Sequence, residues 1–304
     1  MTIGLLNLML SLFRSANDKI GELLDTAENN EIDIGSRRKY SIARTILIFI
    51  VGILFVIAVW WLIAEVYNVY FVVSLQFPAP KAVFMQLWSY LSGQNFLRVS
   101  IYQHIEASLF RWIKGFAIAC MIGLVIGLIL ASNNSIYEFG IVPVNVLQMI
   151  PGLAWLPVTI LLFGFGELAA VFIIAIAVIS PIAINVATGI RKVPVVNIRV
   201  ARMSGRSHFE IMTEVLIPFA AIDILNGLRI GMANAWRMLI AAEMVVGVAV
   251  GLGFAISQTT STLDYVSSFV CIVVICAIGL IIDKVFFENI EKYMRRKLGF
   301  EEAS

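Results

Sequence analysis

Arg229, Arg237 and Glu243 stand inside a long apolar stretch, and Glu167 and Asp223 lie nearer the ends of such stretches. An ionised side chain in a bilayer costs about 2.5–3.5 kcal/mol on insertion scales, so it is retained for pairing or for function. Arg237 and Glu243 are six positions apart, about 240° around a helix of 3.6 residues per turn, so each must find its partner elsewhere. Two chemistries stay open. Arg237 can attract an anion along a path through the membrane while Glu243 fixes its geometry, or the charges can form ion pairs that lock spans together. Asn145, Gln148 and Trp155 around one broken apolar segment, with Asn226, Asn234 and Trp236 around another, have the polarity to line such a path. Each of them also suits a helix-to-helix hydrogen bond or an interfacial aromatic position.

Bond-making chemistry finds no support. The chain carries neither G-x-x-x-x-G-K-[ST] nor H-E-x-x-H, so it has no phosphate loop and no zinc-protease motif. His104 and His208 are isolated from each other and from cysteine, and Cys120, Cys271 and Cys276 all sit in apolar runs, as buried small residues do. No metal site is expected.

The elements that must position these residues are membrane spans. Of 304 residues, 60% are hydrophobic and only 14% charged, against about 25% in soluble domains. Apolar runs near the length needed to cross about 30 Å of hydrocarbon recur, so the expected fold is an all-α polytopic membrane protein with six transmembrane helices. The spans are expected at Ile46–Ala64, about Leu109–Ala131, Ile141–Phe165, Leu168–Ile190, within Phe219–Ile256, and at Val266–Ile282. Pro151-Gly152 and Pro157 interrupt the third, and Pro181 lies inside the fourth. Gly123 and Gly127 form a GxxxG that lets helices approach closely. The expected organisation is an extension over 1–44, a first transmembrane helix over 45–75, a core over 76–295 with five further spans, and a tail over 296–304. TIGLLNLMLSLF near the N-terminus lacks the basic start of a signal peptide and reads as an amphipathic helix on the membrane or a partner.

One polar segment, 191–218, is punctuated at both ends and in its middle. Pro194 suits a helix start. Gly205 suits the left-handed position that ends a helix. Ser207 and Glu210 form the S-x-x-E of a capping box, and Pro218 interrupts the second helix. A helix, a glycine turn and a second helix make a stiff knob, which transmits movement where a floppy loop would absorb it. Arg37, Arg38, Lys39 and Arg44, then Arg191, Lys192, Arg199, Arg202 and Arg206, then Lys284, Lys292, Arg295, Arg296 and Lys297 are separated by even numbers of spans. The positive-inside rule places all three clusters, and both termini, in the cytosol. Arg98, Arg111 and Lys114 argue the other way.

Here the residues resemble a known family, the permease subunits of bacterial ABC importers. Their loop signature is Glu-Ala-Ala, three residues, glycine, nine residues, then Ile-x-Leu-Pro; this chain has Arg199-Val200-Ala201, Gly205 and Val215-Leu216-Ile217-Pro218 in those places. Arginine stands where the family has glutamate. FPAPKAV, HIEASLFRWIKGFAIACMIGLVIGLILA, MIPGLAWLPVTILLFGFGE and NGLRIGMANAWRMLIAAEMV followed by GLGFAI resemble the sulfonate, taurine and nitrate branch, over roughly residues 75–295.

The resemblance implies the type I importer permease fold and a translocation subunit without enzymatic activity of its own. It places Arg199, Ala201, Ser204, Gly205, His208 and Pro218 in the segment that couples to an ATPase. It implies partners: a second permease copy, two ATP-binding ABC subunits that hold ATP and Mg, and an extracytoplasmic solute-binding protein that meets the outer loops around 71–106 and 251–265. The setting would be a prokaryotic inner membrane. A net charge of only +2 suggests no nucleic acid. The contrasting expectation is an ion-coupled secondary transporter, for which Glu243 is the candidate coupling acid.

Overall fold

The computed structural model describes residues 42–70, 76–287 and 290. The expected N-terminal extension, its basic cluster at 37–39 and the basic tail from 291 onward lie outside the described residues. Two compact units divide within the first helix, one up to Glu65 and one from Val66 onward. The first contains most of α1 (Ile42–Tyr70), uncharged and apolar from Leu47 to Ala64. The helix continues past the expected end at Ala64, carrying Trp60, Trp61, Tyr67 and Tyr70 with it.

The second unit opens with the last turn of α1. The Asn68 side chain donates to Phe77 O at 3.0 Å and accepts from Phe77 N at 2.8 Å, which pins the chain before its prolines. The helix α2 (Pro80–Leu91) begins on Pro80, where the missing N–H costs nothing. Then come α3 (Ile101–Ser132), α4 (Asn134–Met149), a 3-10 turn (Gly152–Trp155) and α5 (Leu156–Phe163). After these follow α6 (Glu167–Arg191), α7 (Val195–Met203), α8 (His208–Ile211), α9 (Ile217–Val245), α10 (Leu252–Ser261) and α11 (Tyr265–Ile281). Among the described residues there is no strand, only an isolated bridge between Phe96 and Val99.

Several boundaries differ from the expected ones, each for a local reason. The second span starts at Ile101 instead of Leu109, because Ser100 and Gln103 close a capping box. The third starts at Asn134 because the Asn133 side chain accepts from Ser135 N. The fifth, expected within Phe219–Ile256, starts two residues earlier at Ile217 and ends at Val245, where Gly247 adopts φ 72° and the chain turns before α10 begins. Pro181 does not break α6; its carbonyl takes a hydrogen bond from the Asn185 side chain at 2.7 Å.

Among the described residues, five helices are long and apolar enough to cross a membrane, or six if α4 and α5, bent by 95° at Pro151-Gly152, form one span. Packing direction decides the count. Gly115 faces Ile174, Gly123 faces Ile182 and Gly127 faces Val186, so α3 and α6 run parallel. Parallel neighbours require the chain between them to return across the membrane, and only the bent α4–α5 pair lies between. The total is six.

The centre of the unit is α6. Ile173, Ile174, Val178, Ile182 and Val186 are fully buried on it. On one side α3 packs through its small-residue stripe: a Cβ at Gly127 would stand 2.6 Å from that of Val186, and one at Gly123 2.9 Å from that of Ile182. On the other side α9 runs antiparallel, with Gly227 against Asn185 and Gly189 against Asp223. In lipid there is no hydrophobic force to join helices, so this close backbone packing holds the three together. The arrangement gives the unit two ends: a loop face carrying 191–218 and an opposite face carrying the start of α3, the start of α6 and the end of α9.

Candidate functional site

At the loop face, the backbone of 194–211 is fixed turn by turn. Pro194 caps α7 rather than occupying its first turn. Gly205 takes φ 77°. Its N–H reaches Arg202 O at 3.0 Å and that of Arg206 reaches Ala201 O at 3.2 Å, the double closure of a Schellman turn. The Ser207 hydroxyl then accepts from Glu210 N at 3.3 Å while the Glu210 carboxylate accepts from Ser207 N at 2.7 Å. His208, exposed, opens α8. Ser204 Oγ donates to Val200 O at 3.0 Å, and Arg206 pairs with both Glu210 and Glu214. Ala201 and Ile211 are buried beneath the turn.

Pro218 does not interrupt the second helix as its sequence suggests. Between α8 and α9 the backbone widens into a π turn, Met212–Leu216, and Pro218 falls in the first turn of α9, where a lost N–H is tolerated. The knob is therefore continuous with the fifth span. Its base is tied as well. Lys192 pairs with Asp223 at 2.8 Å, joining α6 to α9. Arg191 donates to the Asn134 side chain at 2.9 Å and lies 4.0 Å over the Tyr137 ring, joining α6 to α4.

The opposite face holds the main concentration of buried charge among the described residues. Arg111 on α3, 3% exposed, donates to Glu243 at 2.7 Å, to Val250 O at 2.7 Å and to Glu167 at 3.1 Å. Glu243 on α9 has no exposed side-chain surface; it also accepts from Ser108 Oγ at 2.9 Å and from Gly253 N at 2.9 Å. Ser108 accepts from Leu252 N at 2.8 Å, and His104 bonds to Gly251. Gly166 N donates to Val246 O at 2.7 Å. One guanidinium thus ties α3, the start of α6, the end of α9 and the loop after it.

Of the path candidates, Asn234 and Arg237 come together: Arg237 donates to the Asn234 side chain at 3.2 Å and to Ala233 O at 3.1 Å. Arg237 is exposed and has no carboxylate partner among the described residues. It lines a cavity of about 190 Å³ with Met232, Trp236, Gly279 and Asp283. Asp283 is already paired with Arg229 at 3.0 Å. Asn145 and Gln148 are exposed on α4, and Trp155 is half-buried in the turn after it. Glu243, six positions from Arg237, is turned to Arg111 and fully buried. The sequence groups Arg111 with Arg98 and Lys114 as a charge bearing on orientation and misses it as the partner of Glu243. Trp236 is mostly buried and donates to Ile275 O at 3.3 Å, a helix-to-helix bond. Among the described residues no three His, Cys, Asp or Glu side chains gather as metal ligands would.

The spans packed around α6, with the helical knob at one end, have the architecture of the type I ABC importer permease fold. The profile described as the binding-protein-dependent transport system inner membrane component matches residues 123–296. The taurine transport system permease protein TauC of Escherichia coli is 28% identical over 79% of this chain and 86% of its own length. The bicarbonate transport system permease protein CmpB of Synechococcus elongatus is 32% identical over 74% and 83%. An inward-facing structure of the MetNI methionine ABC transporter shares the fold, with a TM-score of 0.56 at 20% identity over 64% of this chain and 95% of that one. This chain belongs to the family of binding-protein-dependent transport inner membrane components, in the branch that holds the sulfonate, taurine and nitrate permeases.

Proposed function

We propose that this chain, paired with a second copy of itself, forms the passage of an ATP-driven importer for a small anion. The knob is the observation that carries this function. Its first helix ends in a Schellman turn, its second opens on a capping box, its base is tied to α4, α6 and α9, and the second helix runs without a break into a membrane span. A displacement imposed at Arg199, Ala201, Ser204, Gly205, His208 or Pro218 would reach the opposite face through α6 and α9, whose far ends Arg111 holds together. Two ATP-binding ABC subunits, with ATP and Mg, would supply that displacement from the cytosol. The opposite face would receive solute from an extracytoplasmic binding protein, and alternation between two states biased by these ligands would move it inward. Both termini would be cytosolic. Arg111 is consumed in a buried pair, which removes one of the three charges opposing that orientation.

The anionic cargo rests on Arg237. A guanidinium exposed within a membrane span cannot face hydrocarbon cheaply, so it faces a second copy or a wet path. Because Asp283 is neutralised by Arg229, the adjoining cavity keeps the charge of Arg237 uncancelled. The taurine and bicarbonate names of the relatives agree with a small anion. Asn234 steadies the guanidinium, and Asn145, Gln148 and Trp155 are proposed to lie along the same path. Glu243 acts at a distance, holding the outer end of α9. An ion-coupled mechanism needs a carboxylate free to exchange its ion, and Glu243 is fully engaged.

Uptake by Arg237→Ala and Arg237→Lys tests the cargo assignment. A charge-assisted hydrogen bond contributes about 1.5–3 kcal/mol, so Arg237→Ala should lower uptake about tenfold or more at unchanged folded yield, and Arg237→Lys should retain part of it. Loss of folded protein with normal uptake per molecule would assign Arg237 to structure instead.

A further inference from the structure

The knob presents two different kinds of charge. Arg206 is held by Glu210 and Glu214 within the knob itself. Arg199 and Arg202 are exposed, three apart on α7, and have no carboxylate within ion-pair reach among the described residues. Residues at that spacing share a helix face. Around them stand exposed apolar side chains, uncovered by any described residue: Met203 is 88% exposed, Phe209 76%, Val196 65% and Val200 57%. The inner face of α7 is already used, since Ala201 is buried. An exposed apolar patch ringed by uncompensated charge is a docking surface, and the sign of the charge states what the partner must offer.

Taking the ATP-coupled function proposed above as given, we infer that the groove receiving this knob on the ATP-binding subunit is acidic, with carboxylates facing Arg199 and Arg202 around an apolar slot for Met203 and Phe209. Arginine at 199, where the importer signature has glutamate, makes this a charge-inverted interface. The permease accepts an ATP-binding subunit with acid at that point and rejects one with a cation there. Two guanidiniums brought to matching carboxylates give the encounter a steep salt dependence, while the apolar contacts add an attraction that salt does not screen.

The test uses the full chain in nanodiscs and a candidate ABC ATP-binding subunit from the same organism. Affinity is measured at about 0.1 M and about 1 M salt, where charges are screened beyond about 10 Å and about 3 Å. The wild-type complex weakens about tenfold or more between the two. The double variant Arg199→Glu, Arg202→Glu binds at least tenfold more weakly at low salt and its salt dependence inverts, because salt then screens a repulsion, whereas Arg199→Lys, Arg202→Lys keeps the wild-type affinity and slope. Met203→Ala weakens binding without changing the salt slope. Thermal midpoints of all variants stay at the wild-type value, because the substituted side chains are exposed. If the charge-reversed variant retains low-salt affinity and salt slope, the acidic groove is overturned while ATP coupling stands. If the wild-type chain binds no ATP-binding subunit at either salt, ATP coupling itself falls, and the inference with it. If the salt slope appears only in nanodiscs containing phosphatidylglycerol and vanishes in phosphatidylcholine, the arginines serve the lipid surface and the proposal is overturned.

Discussion

The two ends of the α6–α9 pair are fastened by opposite means. At the loop face the links are exposed and separate: Lys192–Asp223, Arg206–Glu214, Arg191–Asn134. Solvent screens such pairs, and each contributes about 0–1 kcal/mol. At the opposite face Arg111 and Glu243 are buried together and make further hydrogen bonds to Ser108, Val250 and Gly253. A buried pair adds little net stability over apolar packing, but losing one member leaves an uncompensated charge at a cost of about 3–5 kcal/mol. On the proposed function, the end that would engage a partner is held by weak, replaceable ties and the end that would keep spans in register by a few irreplaceable ones. A lever would need this asymmetry: a fixed fulcrum and a stiff handle.

The contrast breaks first at Glu243. Glu243→Ala leaves Arg111 buried without its main acceptor and should cost about 3–5 kcal/mol, seen as loss of folded protein in detergent. The double variant Arg111→Met, Glu243→Leu should recover most of that yield, because neither charge is left unpaired. If the single variant is as stable as the wild type, the fulcrum assignment fails. Next is the α3–α6 contact. Gly127→Val pushes a branched side chain into Val186 and should destabilise by about 1–3 kcal/mol, read as a lower thermal midpoint.

At the knob the effects shrink in stability and stay large in function. Gly205→Val forces a branched residue into the left-handed region at about 1–2 kcal/mol, with open space around it, so the protein should still insert while ATP-driven uptake collapses. Normal uptake in that variant would dismiss the stiff handle. Ser207→Ala removes one half of a capping box, about 1 kcal/mol, and should lower uptake partially. Lys192→Ala should change the thermal midpoint least, by no more than the equivalent of about 1 kcal/mol, and any change should vanish at high salt. A large, salt-resistant loss there would erase the distinction between the two ends.

Much of this was legible in the residues because it is local. The apolar runs mark the spans, Gly205 marks a left-handed turn, and Ser207 with Glu210 marks a cap; each signal lies within a few positions of its effect. Ser100 and Gln103 carry the same kind of signal, yet α3 begins in a polar stretch where hydropathy hides it. What was not legible is long-range. The Arg111–Glu243 pair joins residues far apart in the chain, and nothing near either one names the other. The parallel run of α3 and α6, which makes the bent α4–α5 pair a full span, follows from which faces meet. Pro218 shows the limit of a local rule: a proline that ends an isolated helix is absorbed here by a π turn packed against its neighbours.

ATP-dependent uptake in proteoliposomes tests the lever most directly, with nitrate, bicarbonate and taurine as trial solutes. Vesicles containing this chain, its ATP-binding subunit and its solute-binding protein should accumulate solute only with ATP on the side of the 191–218 segment, and vesicles containing the chain alone should accumulate none. Full-rate accumulation by the chain alone, without nucleotide, would contradict the account.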